Sequence, residues 1–438
     1  MLSFSDNIVA EITPVGRAAI SGIRISGKNA KEVVEKLFNS SITQERHSYL
    51  LKNDLDEAVV VYYKAPNSYT GEDVCEIFCH GNPTIVNSFI DRIISNRSFN
   101  IRIAEPGEYT KRAYLNDKMD LIQAEAVADI INSSNTTAAS YRNQVLKGDL
   151  SKVIEKIKAE LLDISVFTEL EIDFEEESAG VLDKEKAKVT LTNVLDQVRQ
   201  ILSSFSKIES LSRDIKVLII GEANVGKSSI FNRLIEQDRS IVHEHPGTTR
   251  DYIEADLFMN GLEVTLIDTA GFRDVPNCDI ERMGIEKINE LINSATLILE
   301  VTDKDGMTFK HYNSIKVRNK IDVNRPNKLE PSILYTSKND PNSIKKLKSN
   351  IEYTIKKMFE TVDDRTEHFL LTKRQRESLS ALEKQVDRIL SSIQSEQPID
   401  AVSFMIKDAL DMINKLTGRE KANNEMLDEL FSRFCIGK

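Results

Sequence analysis

The sequence predicts a multidomain protein of α/β and α class, in which an α/β phosphate-loop domain is inserted into a helical one. Three observations carry this expectation. At 438 residues the chain exceeds one ordinary domain. An apolar run, Val217-Leu218-Ile219-Ile220, leads through Gly221-Glu222-Ala223-Asn224-Val225-Gly226-Lys227-Ser228 into the helix start Ser229-Ile230-Phe231-Asn232. That is the strand, glycine-rich turn and helix that a phosphate loop needs. Helical periodicity flanks this region on both sides: Ile122, Ala126 and Ile130 with Val127 and Ile131 before it, and Leu379, Leu382, Val386, Ile389 and Ile393 after it. Helix, α/β and helix in succession are most simply one helical domain interrupted by an insertion; four domains in a row is the weaker account. The expected segments are 1–118 (N-terminal domain), 119–212 and 369–438 (the two helical parts), and 213–368 (the insert).

Composition bounds the function. A formal net charge of -11 excludes broad electrostatic attraction to nucleic acid, so such a substrate would need a local basic patch or a helper protein. No apolar run is long enough to span a membrane, and the first residues carry no signal-peptide pattern. Four scattered cysteines are too few for a disulfide framework, so the expected compartment is the cytoplasm.

The N-terminal segment reads as mixed α and β. Ile8–Ile12 and Ala19–Ile25 are strand-like with Pro14-Val15-Gly16 turning between them, followed by Ala58–Tyr63 and Val74–Cys79. On the last strand Cys75, Ile77 and Cys79 share one face and Glu76 and Phe78 the other. Without a second cysteine or histidine pair, the two thiols read as packed residues rather than zinc ligands. His80-Gly81 reads as a turn. Asp120 and Gln123 have capping-box spacing at the start of the helical region. The acidic run Glu169–Glu177 reads as a solvated face rather than a metal site.

The central segment spells out one chemistry. Glycines let the loop wrap a phosphate, and bare N–H groups at the helix start attract its charge. Lys227 would reach the outer phosphates, and Ser228 would hold Mg²⁺. The strand-like Leu262–Ile267 ends in Asp268-Thr269-Ala270-Gly271, an acid for the magnesium shell and a glycine N–H for the terminal phosphate. In Gly247-Thr248-Thr249-Arg250, Thr249 is placed to complete that shell as a switch that lets go after hydrolysis. Asn319-Lys320-Ile321-Asp322 follows strand-like Ser314–Arg318; its carboxylate can accept from both guanine N1 and the exocyclic amine, a donor pair that adenine lacks. Thr336-Ser337-Lys338 sits where a base-stacking loop belongs. The GTP contacts that these motifs predict are Asn224, Val225, Gly226, Lys227, Ser228 and Ser229; Gly247, Thr248 and Thr249; Asp268, Thr269, Ala270 and Gly271; and Asn319, Lys320 and Asp322. Phe272 stands where signalling GTPases carry a water-orienting glutamine, so another group must align the water and another charge must stabilise the transition state. Asn224 is a neutral oxygen donor placed to hold a monovalent cation for that purpose. Glu222 adds negative charge beside the loop.

Over essentially its whole length the chain resembles the MnmE (TrmE) family of tRNA-modification GTPases. Beyond the GTPase motifs, the resemblance rests on Asp6–Ala10, Arg24-Ile25-Ser26-Gly27, Gly71-Glu72-Asp73-Val74, Glu105–Ala113 with Leu115-Asn116-Asp117-Lys118, and Phe434-Cys435-Ile436-Gly437-Lys438. It implies a Ras-like G domain and an N-terminal folate-binding and dimerisation domain, with Arg24, Glu76, Lys118 and Lys438 contacting a 5-formyl- or methylene-tetrahydrofolate. It implies a homodimer that joins a flavin-dependent MnmG-type subunit in a heterotetramer. That complex adds an aminomethyl-type group to C5 of the wobble uridine of certain tRNAs. It further implies K⁺-activated hydrolysis, with the loop His243, Glu244, His245 and Pro246 added to the GTP contacts, Asn224, His243, His245 and Thr248 at the potassium positions and Glu281 orienting the water, alongside Thr249. Cys435 would lie beside the folate, without covalent chemistry. The competing readings are a ribosome-assembly GTPase switch that binds RNA directly, which the acidic balance disfavours, and a helical scaffold with a vestigial G domain.

Overall fold

A computed structural model of the chain describes residues 6–133, 135–173, 183–208, 215–222, 224–237, 253–259, 262–269, 290–304, 313–325, 329–359, 369–419 and 424–438. It divides into two compact units: Met1–Ile131 with Arg142–Leu202 and Leu371–Lys438, and Asn132–Tyr141 with Ser203–Leu370.

The first unit begins with a six-stranded sheet of β1 (Asn7–Glu11), β2 (Ile20–Ser26), β3 (Ser48–Lys52), β4 (Glu57–Tyr63), β5 (Val74–His80) and β6 (Ile101–Ile103), in the order β3-β4-β5-β2-β1-β6. Only β1 and β6 pair in parallel. Alternation sends Ile23, Ile77 and Val60 to one face, where α1 (Ala30–Phe38) and α2 (Pro83–Ser95) bury them through Val33, Val34, Phe38, Val86 and Phe89. Cys75 and Cys79 lie in this core, and burial pushes the Cys79 thiol up to about 11. They are packing residues, and among the described residues no group of metal-ligating side chains forms. His80 is the last residue of β5, not a turn: its ring meets Asp56 at 2.8 Å, so the strand runs one residue further than its apolar pattern. The opposite face carries the row Leu50, Val59, Phe78 and Gly22 across four strands, with Leu50 63% and Val59 37% exposed. The row Val61, Glu76 and Arg24 lies two residues along on that same face.

After α3 (Glu108–Leu115), the helical part comprises α4 (Leu121–Ile131), α5 (Thr136–Leu146), α6 (Asp149–Asp173) and α7 (Lys184–Ile208). The reciprocal bonds Asp120 N–H to Gln123 Oε1 (3.0 Å) and Gln123 N–H to Asp120 Oδ1 (2.8 Å) form the expected capping box before α4. Ile122, Ala126 and Val127 are buried as the stripe predicts, but Ile131, at the last position of α4, is 48% exposed. The buried stripe of α6, Leu150, Ile154, Ile157, Leu161 and Ile164, keeps alternating four- and three-residue spacing. Of the acidic run, Glu169 on α6 is solvated and paired with Lys407 at 2.9 Å, while Phe174, Glu175, Glu176 and Glu177 lie outside the described residues.

The chain returns to this unit after Leu370. In chain order, after α8 (Lys227–Gln237) and α9 (Pro341–Phe359) of the second unit, the returning helices are α10 (Lys373–Gln394), α11 (Ile399–Thr417) and α12 (Asn424–Phe431). All five expected apolar residues of α10 are buried; each such side chain contributes about 1.5–3 kcal/mol by leaving water. A Thr372–Gln375 capping box starts α10, and Arg374 and Gln375 both donate to the buried Glu125 carboxylate of α4.

The second unit holds a six-stranded sheet of β7 (Ile215–Gly221), β8 (Ile253–Met259), β9 (Leu262–Asp268), β10 (Leu297–Thr302), β11 (Ser314–Arg318) and β12 (Ile333–Tyr335), in the order β12-β11-β10-β7-β9-β8. All its pairs are parallel except β8–β9. β7 lies between β9 and β10, so strand order reverses at its carboxyl end, which is where open α/β sheets bind ligands.

Candidate functional site

The loop leaving β7 sits at that reversal point. Gly226 adopts φ +98°, and a Cβ there would come within 2.3 Å of Asn319 Nδ2, so this step of the loop demands glycine. Asn224 is also left-handed, at φ 60°. The Lys227 ammonium, at the first position of α8, donates to the carbonyls of Gly221 and Glu222, each at 3.0 Å, and so spans the mouth of the loop. Ser228 and Ser229 are exposed one and two residues on. Asp268 is 1% exposed at the end of β9, in register with Ile219 of β7, and Thr269 Oγ1 donates to the Ile219 carbonyl at 2.8 Å. The Ser228 hydroxyl in the first turn of α8 and the Asp268 carboxylate at the end of β9 are hard-oxygen donors of the kind Mg²⁺ prefers.

Asn319 joins two loops. Its Nδ2 donates to the Val225 carbonyl at 2.9 Å, and its Oδ1 accepts from Thr336 Oγ1 at 3.0 Å. Lys320 donates to the Asn224 carbonyl and lies 3.4 Å from Asp303. Asp322 is exposed and accepts from Asn339 Nδ2 at 3.0 Å. The base-side loop is fixed from below by α8, where Arg233 donates to the Ser337 carbonyl at 2.8 Å. Glu222, whose charge beside the loop looked adverse, pairs with Lys304 at 2.9 Å, and that hydrogen bond raises the Lys304 ammonium. Of the expected GTP contacts, His243, Glu244, His245, Pro246, Gly247, Thr248, Thr249, Ala270 and Gly271 lie outside the described residues, as do Phe272 and Glu281.

A second cluster lies on the open face of the N-terminal sheet. Arg24 and Glu76, opposite each other on β2 and β5, meet at 2.8 Å with side chains 12% and 14% exposed. The Arg24 guanidinium stands over the rings of Tyr69 (5.2 Å) and Tyr109 (5.4 Å). The end of the chain folds onto this spot. Gly107 N–H donates to the Cys435 carbonyl at 3.4 Å, and Arg24 Nη1 reaches the Gly437 carbonyl at 3.5 Å. Gly437 has φ +96°, and a Cβ would lie 2.6 Å from the Glu11 carbonyl, so the tail approaches as closely as glycine permits. Lys438 lies beside the pair: burial and Arg24 lower its ammonium pKa, while Glu76 raises it. Lys118 Nζ donates to the Pro66 carbonyl at 2.9 Å. Cys435 is an exposed free thiol. The two tyrosines were not singled out from sequence, although Tyr109 stands inside the Glu105–Ala113 motif; only the fold sets their rings against Arg24.

Two family models match the chain: the TrmE N-terminal domain over residues 7–118 and the MnmE helical domain over residues 121–435. The chain belongs to the MnmE family of tRNA modification GTPases. MnmE relatives match at full length. That of Pseudothermotoga lettingae is 36% identical across 99% of this chain and 100% of its own. The relative from Thermotoga maritima is 33% identical over the same shares, and that from Caldicellulosiruptor saccharolyticus 35% identical across 99% of each chain. All three carry the name tRNA modification GTPase MnmE. No helix of the described residues is long and apolar enough to cross a membrane.

Proposed function

We propose that this MnmE-family GTPase hydrolyses GTP with K⁺ and Mg²⁺ to drive wobble-uridine modification of tRNA, with a flavin-dependent MnmG-type partner and a tetrahydrofolate one-carbon unit. The observation that carries the proposal is the pairing of a phosphate loop with an Asp322 loop held to it through Asn319. Ser228 and Thr249 hold Mg²⁺; Asn224, His243, His245 and Thr248 hold K⁺, whose charge stands in for an arginine finger. Glu281 aligns the water that Phe272 cannot. The domain plan is an N-terminal domain over 1–118, helical parts 119–212 and 369–438, and the G domain 213–368 inserted between them; a helical-domain match running from 121 to 435 supports it.

Folate is held by Arg24, Glu76, Lys118 and Lys438. The donor set fits: cations suit the glutamate tail, Glu76 can accept from the pterin N–H edge, and the partly exposed Tyr69 ring offers a stacking face. The apolar row Leu50, Val59 and Phe78 beside that cluster, exposed at Leu50 and Val59, supports association of two copies through this face. The cytoplasm is the compartment in which tRNA and GTP meet. The deciding experiment compares GTP turnover in KCl and NaCl, with and without folate and an MnmG-type partner. Faster turnover in KCl and measurable folate binding are expected; turnover indifferent to K⁺ together with no folate binding would end this reading.

A further inference from the structure

The GTPase reading gives Asp322 the task of recognising guanine, yet this carboxylate is exposed on a turn. Val323 and Asn324 N–H groups both return to the Lys320 carbonyl, at 3.0 and 2.9 Å, which fixes the turn's backbone but not the side chain above it. To read guanine, both carboxylate oxygens must face N1 and the exocyclic amine together. A freely rotating carboxylate loses that orientation on every rotamer change and pays entropy to recover it.

Asn339 supplies the missing restraint. Its Nδ2 donates to Asp322 Oδ2 at 3.0 Å. A carboxylate has about four lone-pair sites, so one donor leaves enough for the two guanine bonds. The donor itself is held: Asn339 N–H bonds Ser337 Oγ at 3.1 Å, Ser337 N–H bonds Ser343 Oγ at 3.3 Å, and Arg233 of α8 holds the Ser337 carbonyl at 2.8 Å. A line of hydrogen bonds thus runs from the helix under the phosphates to the oxygen that meets the base. We infer that Asn339 is a positioning residue for guanine selectivity, acting through Asp322 and fixing the oxygen pair that distinguishes guanine from hypoxanthine. This inference rests on the GTPase reading and deepens it. An amide suits the place because it donates without charge; a carboxylate there would repel Asp322, and a lysine would compete with guanine for it.

The test uses the full chain with GTP, inosine triphosphate and ATP. Asn339→Leu keeps size and removes the donor. Its kcat should stay near wild type, its KM for GTP should rise about fivefold, and its preference for GTP over inosine triphosphate should fall by a similar factor. Inosine triphosphate lacks the exocyclic amine, so a general loosening of the loop would weaken both nucleotides equally. Asn339→Gln, which keeps the amide, should recover part of the preference. An unchanged ratio of GTP to inosine triphosphate in Asn339→Leu overturns the role of Asn339 while wild-type preference for GTP over ATP keeps the guanine reading intact. Absence of that wild-type preference overturns both.

Discussion

The backbone N–H of Tyr109 donates to the carbonyl of Lys438 at 3.1 Å, so the last residue of the chain is bound to a helix more than three hundred residues earlier. Tyr109 Oη in turn donates to the Arg24 carbonyl at 2.6 Å. The tail is therefore one wall of the Arg24 and Glu76 cluster. Lys438→Ala should weaken 5-formyl-tetrahydrofolate binding about tenfold, measured by calorimetry, because a charge-assisted contact is removed. GTP binding should persist, since the phosphate loop belongs to the other compact unit. Equal folate affinity in the variant removes Lys438 from the site.

Asp322→Asn should transfer preference from GTP toward xanthosine triphosphate, because an amide can donate to the carbonyl that xanthine presents in place of the exocyclic amine. Competition between the two nucleotides is the measurement, and retained GTP preference refutes the guanine assignment.

Glu281→Ala should bind nucleotide as wild type does and hydrolyse it at least about tenfold more slowly, because general base-type water alignment contributes 10²–10⁴-fold in enzymes at large. Single-turnover hydrolysis separates the two effects. A normal rate takes Glu281 out of the chemistry.

Glu108 is buried against Arg112 and Arg102, whose nitrogens lie 2.9 and 2.6 Å from its Oε1. Burial pushes its carboxyl upward, but the Arg102 hydrogen bond, the Glu105 N–H and Arg112 together outweigh it, and the net shift is downward. A lowered folded-state pKa stabilises the fold above the unfolded value, near 4.5, and that stability is lost as pH falls through the folded value. Glu108→Gln should therefore flatten the acid side of the stability curve below about pH 5, followed by urea midpoints. The same acid slope in the variant rules out this linkage.

Glu300 is 1% exposed in the middle of β10, and neither carboxyl oxygen has a hydrogen-bond partner among the described residues. Its cross-strand neighbours are Ile220 and Lys316. Glu300→Met, of similar volume, should raise the stability of the second unit by about 1–3 kcal/mol by ending an uncompensated polar burial. A lower melting temperature would show that the carboxyl has a structural partner that the methionine cannot replace.

Much of this fold can be read from sequence where the signal is local. The Asp120–Gln123 capping box, the five buried residues of α10 and the strand leading into the phosphate loop each depend on residues a few positions apart. The Gly226 requirement is also local, because backbone shape dictates it. What stayed hidden depends on distant chain segments meeting. Lys304 neutralises Glu222 across 82 positions, and Asn339 reaches Asp322 from the far side of β12; no periodicity marks such pairs. Only the family resemblance brings Arg24 and Lys438 together, since their proximity comes from segments more than four hundred residues apart meeting within the first unit. His80 shows the opposite limit: a histidine and glycine look like a turn until Asp56 supplies the bond that keeps the strand going.

One amide, that of Asn319, touches both the loop meant for phosphate and the loop meant for the base. Ordering either loop therefore prepays part of the cost of ordering the other. Guanosine alone and inorganic pyrophosphate alone should each bind better in the presence of its counterpart, as two halves of a torn ticket fit more readily once one is pinned down. The split ligand would then report how strongly this single side chain makes the pocket behave as a unit.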